Sequence, residues 1–383
     1  MKVVFLSNFM NHHQIGLCDE LNKLLSDGNF CFIAQSRTFE EQSKLGYLEY
    51  NSSRDYIVRE YESGIDKTNQ LLDECDVVIV TFSQGLKPIK RAQKQGKIVI
   101  WYEESLFKEY SKIRIFAKYL RAKYYFDSIK NANQYFINAS GYGYHDLAIL
   151  DKNKYKNRSF VFGYFPVFDF NEKVRLNKIE TPFSILFVAR LIKLKHPEYV
   201  FGCAEILEKN NVDYCIDVVG DGELRENLQE EIYKRGLQDR IHMIGAVKSD
   251  RVKDYYQNHD VFLFASDRKE GWGAVLSEAM LYGCVPLANN DAGATNVLIK
   301  DGINGFIFND KQSLQDKCLK LYKIKKDGKL IDIAEKNRKM MLETWNYKEA
   351  AKRLYDVMKA IYKKQNPIIY KENDLMGIQT DLK

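Results

Sequence analysis

Several things are scarce in these 383 residues. Proline occurs 6 times and glycine 22 times, too seldom for a collagen-like or linker-dominated chain. Seven cysteines, at 18, 31, 75, 203, 215, 284 and 318, are scattered, odd in number and never spaced C-x-x-C. That excludes a disulfide framework and leads us to expect buried thiols in a reducing cytoplasm. The six histidines show no ligand spacing with cysteine and no D-x-D pair follows a strand, so no metal is expected. No run approaches 18 consecutive apolar residues, which excludes a membrane-spanning helix. The opening MKVVFLSNFMNHH has a short apolar run and no small-residue cleavage site, so it reads as a first strand, not a signal peptide. The net charge of +6 is modest, and without a recognition motif it does not call for nucleic acid.

What is present is ordinary globular composition: 45% apolar, 29% charged and 13% aromatic, with 25 Tyr and 22 Phe. At about 150 residues per domain this length suits two large α/β domains. Short β-rich runs alternate with helical stretches: strand 3–7, helix 15–25, strands 30–34, 76–81 and 98–101, a long helical segment 104–126, then strand 135–138. A polar stretch near 166–182 interrupts the alternation. It restarts with strand 183–188 and continues through helices 197–209, 223–236, 249–258 and 273–282, with strands 215–219, 241–244, 261–265 and 285–288 between them. Such alternation means βαβ units and mostly parallel sheets. The final helix, 345–363, is amphipathic, and the tail from 364 to 383 carries little pattern and is expected to fray. Two open α/β sheets place ligands at the carboxyl ends of their strands, so a cleft between the domains is the default site.

Three segments carry chemistry. In Glu270-Gly-Trp-Gly-Ala-Val-Leu-Ser-Glu278 a buried strand ends before a glycine-containing loop that opens a helix. Gly271 and Gly273 permit close backbone approach. Free N–H groups of Gly273, Ala274 and Val275 would suit an anion such as phosphate, with Trp272 in the same loop. A carboxylate on either side could accept hydrogen bonds from ribose and sugar hydroxyls. Spacing alone also fits a solvated helix with an incidental acid. In Phe187-Val-Ala-Arg190-Leu-Ile-Lys-Leu-Lys195-His-Pro197 two cations five residues apart follow a strand. Such cations grip phosphate and stabilise a departing diphosphate. Val219-Gly220-Asp221-Gly222-Glu-Leu-Arg225 follows a strand and opens a helix, but Arg225 stands where a third fingerprint glycine would be. That weakens a nicotinamide reading and favours a tight turn lining a cleft.

Together these segments resemble the retaining glycosyltransferases of family 4, whose GT-B fold has two Rossmann-like, doubly wound domains facing across a cleft. The resemblance covers about 183–308. ARLIKLKHPE is similar to the family's GRL-x-x-x-KG, with Ala189 and His196 in place of glycines. VVGDGELR, IHMIGAV and the Glu270–Glu278 block match successive family segments, and DAGATNVLIKDGINGFIF does so with Asn296 where Glu is usual. The resemblance implies an N-terminal acceptor domain, residues 1–170, and a C-terminal nucleotide-sugar domain, residues 171–344. The terminal helix would cross back to the first. It implies that Arg190 and Lys195 bind the diphosphate, Glu278 the ribose, Glu270 the donor sugar, and backbone near Gly245 and Ala246 the base, with no metal or cofactor.

In the N-terminal half, Asn11-His12-His13-Gln14 follows the first strand and resembles a variant seen in polysaccharide-building members. His12 or His13 could orient the acceptor or contact the donor sugar; two solvent-facing histidines in a turn fit equally. Glu104 resembles part of a family S-E-R-x-F-K segment, with Ser105 replacing the Arg, and would lie near the acceptor. Residues 87–130 hold 12 Lys/Arg against 4 Asp/Glu. Within 107–126, Lys108, Lys112, Arg114, Lys118, Arg121 and Lys123 interleave with Phe116, Tyr119 and Tyr124, which suits either an anionic membrane surface or an ordinary surface helix.

The expectation is therefore a cytoplasmic glycosyltransferase, free in solution or peripheral at the inner face of the membrane. It would pass a sugar from a nucleotide diphosphate sugar, a UDP-sugar foremost, to a glycan or lipid-linked glycan in cell-surface polysaccharide assembly. The alternatives are a non-catalytic GT-B binding protein and another GT-B enzyme such as a glycan phosphorylase.

Overall fold

The computed structural model describes residues 1–26, 28–37, 50–81, 87–108, 112–127, 133–176 and 182–380. The chain divides into two compact units, Met1–Phe168 with Thr344–Lys383, and Asp169–Glu343.

Unit 1 is built on seven strands, β1 (Val3–Ser7), β2 (Phe30–Ala34), β3 (Ile57–Arg59), β4 (Val77–Thr81), β5 (Ile98–Glu103), β6 (Gln134–Asn138) and β7 (Ser159–Val161), in the order β3-β2-β1-β4-β5-β6-β7. Every pairing is parallel. β1 and β5 are buried along their whole length, as continuous apolar runs covered on both faces should be. The strand order reverses between β1 and β4, so their carboxyl ends open a crevice in which α/β sheets take ligands.

Unit 2 repeats the plan with six parallel strands, β8 (Phe183–Val188), β9 (Tyr214–Val219), β10 (Ile241–Gly245), β11 (Val261–Phe264), β12 (Val285–Asn289) and β13 (Phe306–Phe308). Their order is β10-β9-β8-β11-β12-β13, with the reversal between β8 and β11. At the edge strand β10, His242 and Ile244 are exposed while Ile241 and Gly245 are buried.

Three expectations are corrected. The helical segment expected at 104–126 begins, among the described residues, at Lys112 and runs to Asp127. A buried Asp146 carboxylate oxygen accepts from the Ser105 hydroxyl at 2.6 Å and from the Leu106 and Phe107 amides at 2.7 and 3.2 Å, which ties this non-helical segment to the helix Gly143–Tyr155. The helix expected at 273–282 starts at Val275, because Gly273 takes φ +83 and Ala274 is the N-cap. The tail does not fray over its described residues. Leu375 and Met376 are fully buried, and Ile378 bridges Phe160 beside β7. The Gln379 amide is interior, accepting from Asn138 Nδ2 at 2.6 Å and the Tyr144 amide at 3.0 Å while donating to the Ser140 carbonyl at 2.7 Å.

The chain returns to unit 1 through the helix Tyr347–Tyr362, capped by Asn346 and packed on the helix Ile15–Leu25. Gly16 permits that packing: a Cβ there would lie 2.9 Å from the Tyr347 ring. All seven cysteines are free thiols. No helix among the described residues is long and apolar enough to cross a membrane.

Candidate active site

The carboxyl edge of the second sheet gathers the sequence-predicted residues of unit 2. β8 and β11 are neighbours, so the loops that leave them run side by side. Three interactions tie the loops together. The Asp267 amide donates to the Leu194 carbonyl at 3.0 Å, His196 Nε2 lies 3.5 Å from an Asp267 oxygen, and Lys195 Nζ makes an ion pair with the Glu270 carboxylate. Lys195 and Glu270 are each 14% exposed, so the pair is largely shielded yet reachable from solvent. His196, in place of a glycine, takes φ +48, the left-handed region that glycine enters without cost. Its Nδ1 meets Glu198 at 2.7 Å, and that interaction, with Asp267 behind it, raises the imidazole pKa against the opposing effect of burial. Arg190, at the start of the same loop, is exposed.

The β9 loop is laid against the β8 loop. A Cβ on Gly220 would sit 1.8 Å from the Ala189 carbonyl oxygen, and one on Gly222 would sit 2.5 Å from that of Leu191. The Leu191 amide donates to the Asp221 carbonyl at 2.8 Å, and the Leu224 amide donates to that of Leu191 at 3.0 Å. These two glycines therefore hold the Arg190 loop in place. The Gly220 amide donates to the Gly245 carbonyl at 2.8 Å, and Gly245, at φ +86, leaves room for the Arg225 guanidinium. Arg225, in the missing-glycine position of the fingerprint, thus packs on the loop that follows β10, where Ala246 is exposed.

On the other flank, Gly293 brings the loop after β12 onto Gly271, whose carbonyl oxygen would be 1.7 Å from a Cβ at 293. The Ala294 amide donates to the Trp272 carbonyl at 3.0 Å. The Trp272 ring is buried, so this residue packs the loop and can offer a ligand only its backbone. Asn296 donates to the Asn290 carbonyl at 2.8 Å. Ala274 and Val275 open the helix Val275–Leu281, which carries Glu278 in its first turn. Burial pushes the Glu278 carboxyl up to about 7, opposed in part by the Tyr256 hydroxyl.

In unit 1, His12, His13 and Glu104 lie at the carboxyl ends of β1 and β5. The His12 and His13 rings are 3.6 Å apart, and His13 stacks on Tyr164 at 5.4 Å and 11°. Burial lowers His12 to about 4, and burial followed by repulsion from His12 lowers His13 well below the usual histidine range. Both are neutral at pH 7 and suit hydroxyl groups rather than anions. The Tyr164 hydroxyl donates to Glu104 at 2.6 Å, and Lys108 pairs with the same carboxylate. A cavity of about 520 Å³ opens here, lined by Ser7, Thr81, Glu103, Glu104, Lys118 and Arg121 among others. Of these, sequence reasoning missed Glu103, and it missed Asp146 and Tyr164 nearby. It read Lys118 and Arg121 only as surface cations. An aromatic or acid at a strand or helix end carries no local signal of such a role.

Residues 169–340 match the family described as Glycosyl transferases group 1. The matched stretch lies within the second unit. An uncharacterized glycosyltransferase of Methanocaldococcus jannaschii is 34% identical over 122 residues, which are 32% of this chain and 30% of that one. The amylovoran biosynthesis glycosyltransferase AmsK of Erwinia amylovora is 28% identical over 159 residues, 40% of this chain and 39% of its own. The matched stretches thus span about a third of the length of these relatives. Anabaena HepE in its complex with UDP superposes with a TM-score of 0.66, at 15% identity, covering 94% of this chain and 100% of HepE. Its complex with UDP-glucose gives 0.63. The two parallel-sheet units share the GT-B fold of HepE.

Proposed function

We propose that the protein is a retaining, metal- and cofactor-independent glycosyltransferase of family 4, with unit 2 for the donor and unit 1 for the acceptor. It passes a sugar from a nucleotide diphosphate sugar, a UDP-sugar foremost, to a glycan or lipid-linked glycan of a cell-surface polysaccharide. It works in the cytoplasm, at the inner face of the membrane. The observation that carries this reading is the Lys195–Glu270 ion pair: two residues 75 apart, chosen from separate motifs, meet at the reversal point of the donor sheet. HepE, of the same fold, has been solved with UDP-glucose, and AmsK is named for amylovoran biosynthesis.

In this reading Arg190 and Lys195 hold the diphosphate, where charge grows as it leaves. Backbone at Gly271, Gly273, Ala274 and Val275 lies along the phosphates, and Gly245 and Ala246 meet the base. Glu278 accepts from the ribose and Glu270 from the donor sugar. The bond between the anomeric carbon and the β-phosphate oxygen breaks while the acceptor oxygen bonds to that carbon on the same face. The acceptor's proton goes to the departing phosphate oxygen, so no protein base is required. A panel of nucleotide sugars screened by thermal shift and then by slow hydrolysis tests the reading. A UDP-sugar should raise the melting temperature and be turned over; no shift with any nucleotide sugar would overturn it.

A further inference from the structure

Lys195, His196, Asp267 and Glu270 form a closed ring. His196 follows Lys195 directly, and the Lys195 ammonium pairs with the Glu270 carboxylate. The Glu270 amide donates to the Asp267 carbonyl at 3.0 Å, and Asp267 Oδ2 lies 3.5 Å from His196 Nε2. The other Asp267 oxygen accepts from the Lys269 amide at 2.8 Å, which leaves Oδ2 to the imidazole. His196 is thus one peptide bond from Lys195 and one turn from Glu270. Its backbone is strained to be there. At φ +48 it occupies the left-handed region, where a side chain costs free energy that glycine avoids. Glycine would build the same loop at lower cost, so the reason for the imidazole lies in what it touches.

It touches acids on both sides. Nδ1 meets Glu198 Oε1 at 2.7 Å, and Nε2 faces Asp267. A carboxylate only accepts, and a neutral imidazole has a single N–H. Only the imidazolium makes both contacts; the neutral ring keeps the shorter bond to Glu198 and turns a lone pair on Asp267. Glu198 first, and Asp267 with it, raise the imidazole pKa above its ordinary 6.5 against the effect of burial. The other groups nearby are Tyr199, whose ring lies 5.8 Å away and edge-on, with Asp291 and Asp310 acting on its hydroxyl. Arg268 and Lys269 follow Asp267 in its loop, Lys193 is exposed, and Lys195 is engaged by Glu270. We propose that His196 is a positioning residue, a proton-operated latch: its imidazolium holds the β11 loop to the β8 loop and so sets Lys195 against Glu270, and loss of its proton releases Asp267. The latch is closed at acid pH and opens as pH rises through the His196 pKa, because the charged form is the one that the fold favours. Its effect on turnover rests on the glycosyltransferase reading; the latch itself does not.

Proton NMR of the full chain from pH 5 to 9 tests the latch without substrate, the His196 imidazole signal being assigned by its loss in His196→Asn. Asparagine tolerates the left-handed backbone and carries no charge. The signal should titrate above 6.5, and Asp267→Asn and Glu198→Gln should each lower its midpoint. A midpoint at or below 6.5, or one that Asp267→Asn leaves unchanged, would overturn the proposal. Turnover of the UDP-sugar that the thermal-shift panel selects then reads the positioning. Wild-type kcat should fall about tenfold as pH rises through the NMR midpoint, the scale of one charged hydrogen bond. Glu198→Gln should move the kcat midpoint down together with the NMR midpoint, and His196→Asn should be slow throughout and lack the step. Glu278 also titrates near 7, but it acts on donor binding, so kcat at saturating donor separates the two groups. A kcat profile in His196→Asn parallel to that of wild type would overturn the proposal as well. No turnover of any UDP-sugar counts against the glycosyltransferase reading, and the titration alone then decides the latch.

Discussion

Lys195 and Glu270 form an ion pair across the loops that leave β8 and β11, each about one-seventh exposed. The pairing fixes both side chains at the carboxyl edge of the sheet. The glycines at 220, 222 and 293 press the neighbouring loops against this pair from both sides.

Lys195→Ala should lower turnover of a UDP-sugar by ~10²-fold, the scale of removing one charge that stabilises the transition state. Because Lys195 and Glu270 touch, Lys195→Ala with Glu270→Ala should cost less than the product of the single losses. Steady-state kinetics on the four proteins check this; strictly multiplicative losses would show that the two act independently.

Glu278 links pH to stability and to binding. Its folded pKa of about 7 lies above its ordinary value of 4.5, so the folded state holds the proton more tightly. The resulting stability is fully present below about pH 4.5 and is lost as pH rises through 7, roughly 3 kcal/mol across that window. Glu278→Gln should remove this slope, raising the melting temperature at pH 8 relative to wild type while weakening UDP binding about tenfold, as a charged hydrogen bond to ribose is lost. Thermal melts from pH 5 to 8 with calorimetry on UDP measure both effects.

Gly220→Ala should be destabilising beyond its size. The residue sits at φ +138 and its new methyl would meet the Ala189 carbonyl, so the backbone must move. We expect a loss of roughly 1–3 kcal/mol in urea unfolding together with weaker UDP binding, because the Arg190 loop shifts. Gly28→Ala, at a positive φ with open space around it, is the control for backbone strain alone; equal losses in the two would show that the packing of the loops contributes nothing.

Gln379→Ala should unfold unit 1 at lower denaturant. It strips partners from the buried Asn138 amide, the Tyr144 amide and the Ser140 carbonyl, and each buried group left unsatisfied costs about 1–3 kcal/mol. A melting temperature equal to wild type would show that the tail is dispensable.

Sequence by itself determined the two rounds of strand and helix and which residues fall at the carboxyl edge of the second sheet. Buried parallel strands are unbroken apolar runs, and Arg190, Lys195, Glu270 and Glu278 fall just beyond or within the elements that such runs delimit. Local pattern failed where a distant side chain outcompeted it. Glu104 lines a cavity in a segment that reads as helix but is tied down outside one by Asp146, 41 residues beyond Ser105. A tail without periodicity is ordered because Gln379 reaches Asn138 across 241 residues of chain. The basic segment likewise reads as one cationic, aromatic surface until the helix turns Tyr119 inward and aims Lys118 and Arg121 at the cavity. Periodicity reports which face of an element is buried, a matter of neighbours three and four residues apart. Only the tertiary structure decides which remote polar group meets which, because those interactions are satisfied between elements whose order in the sheet their own residues do not state.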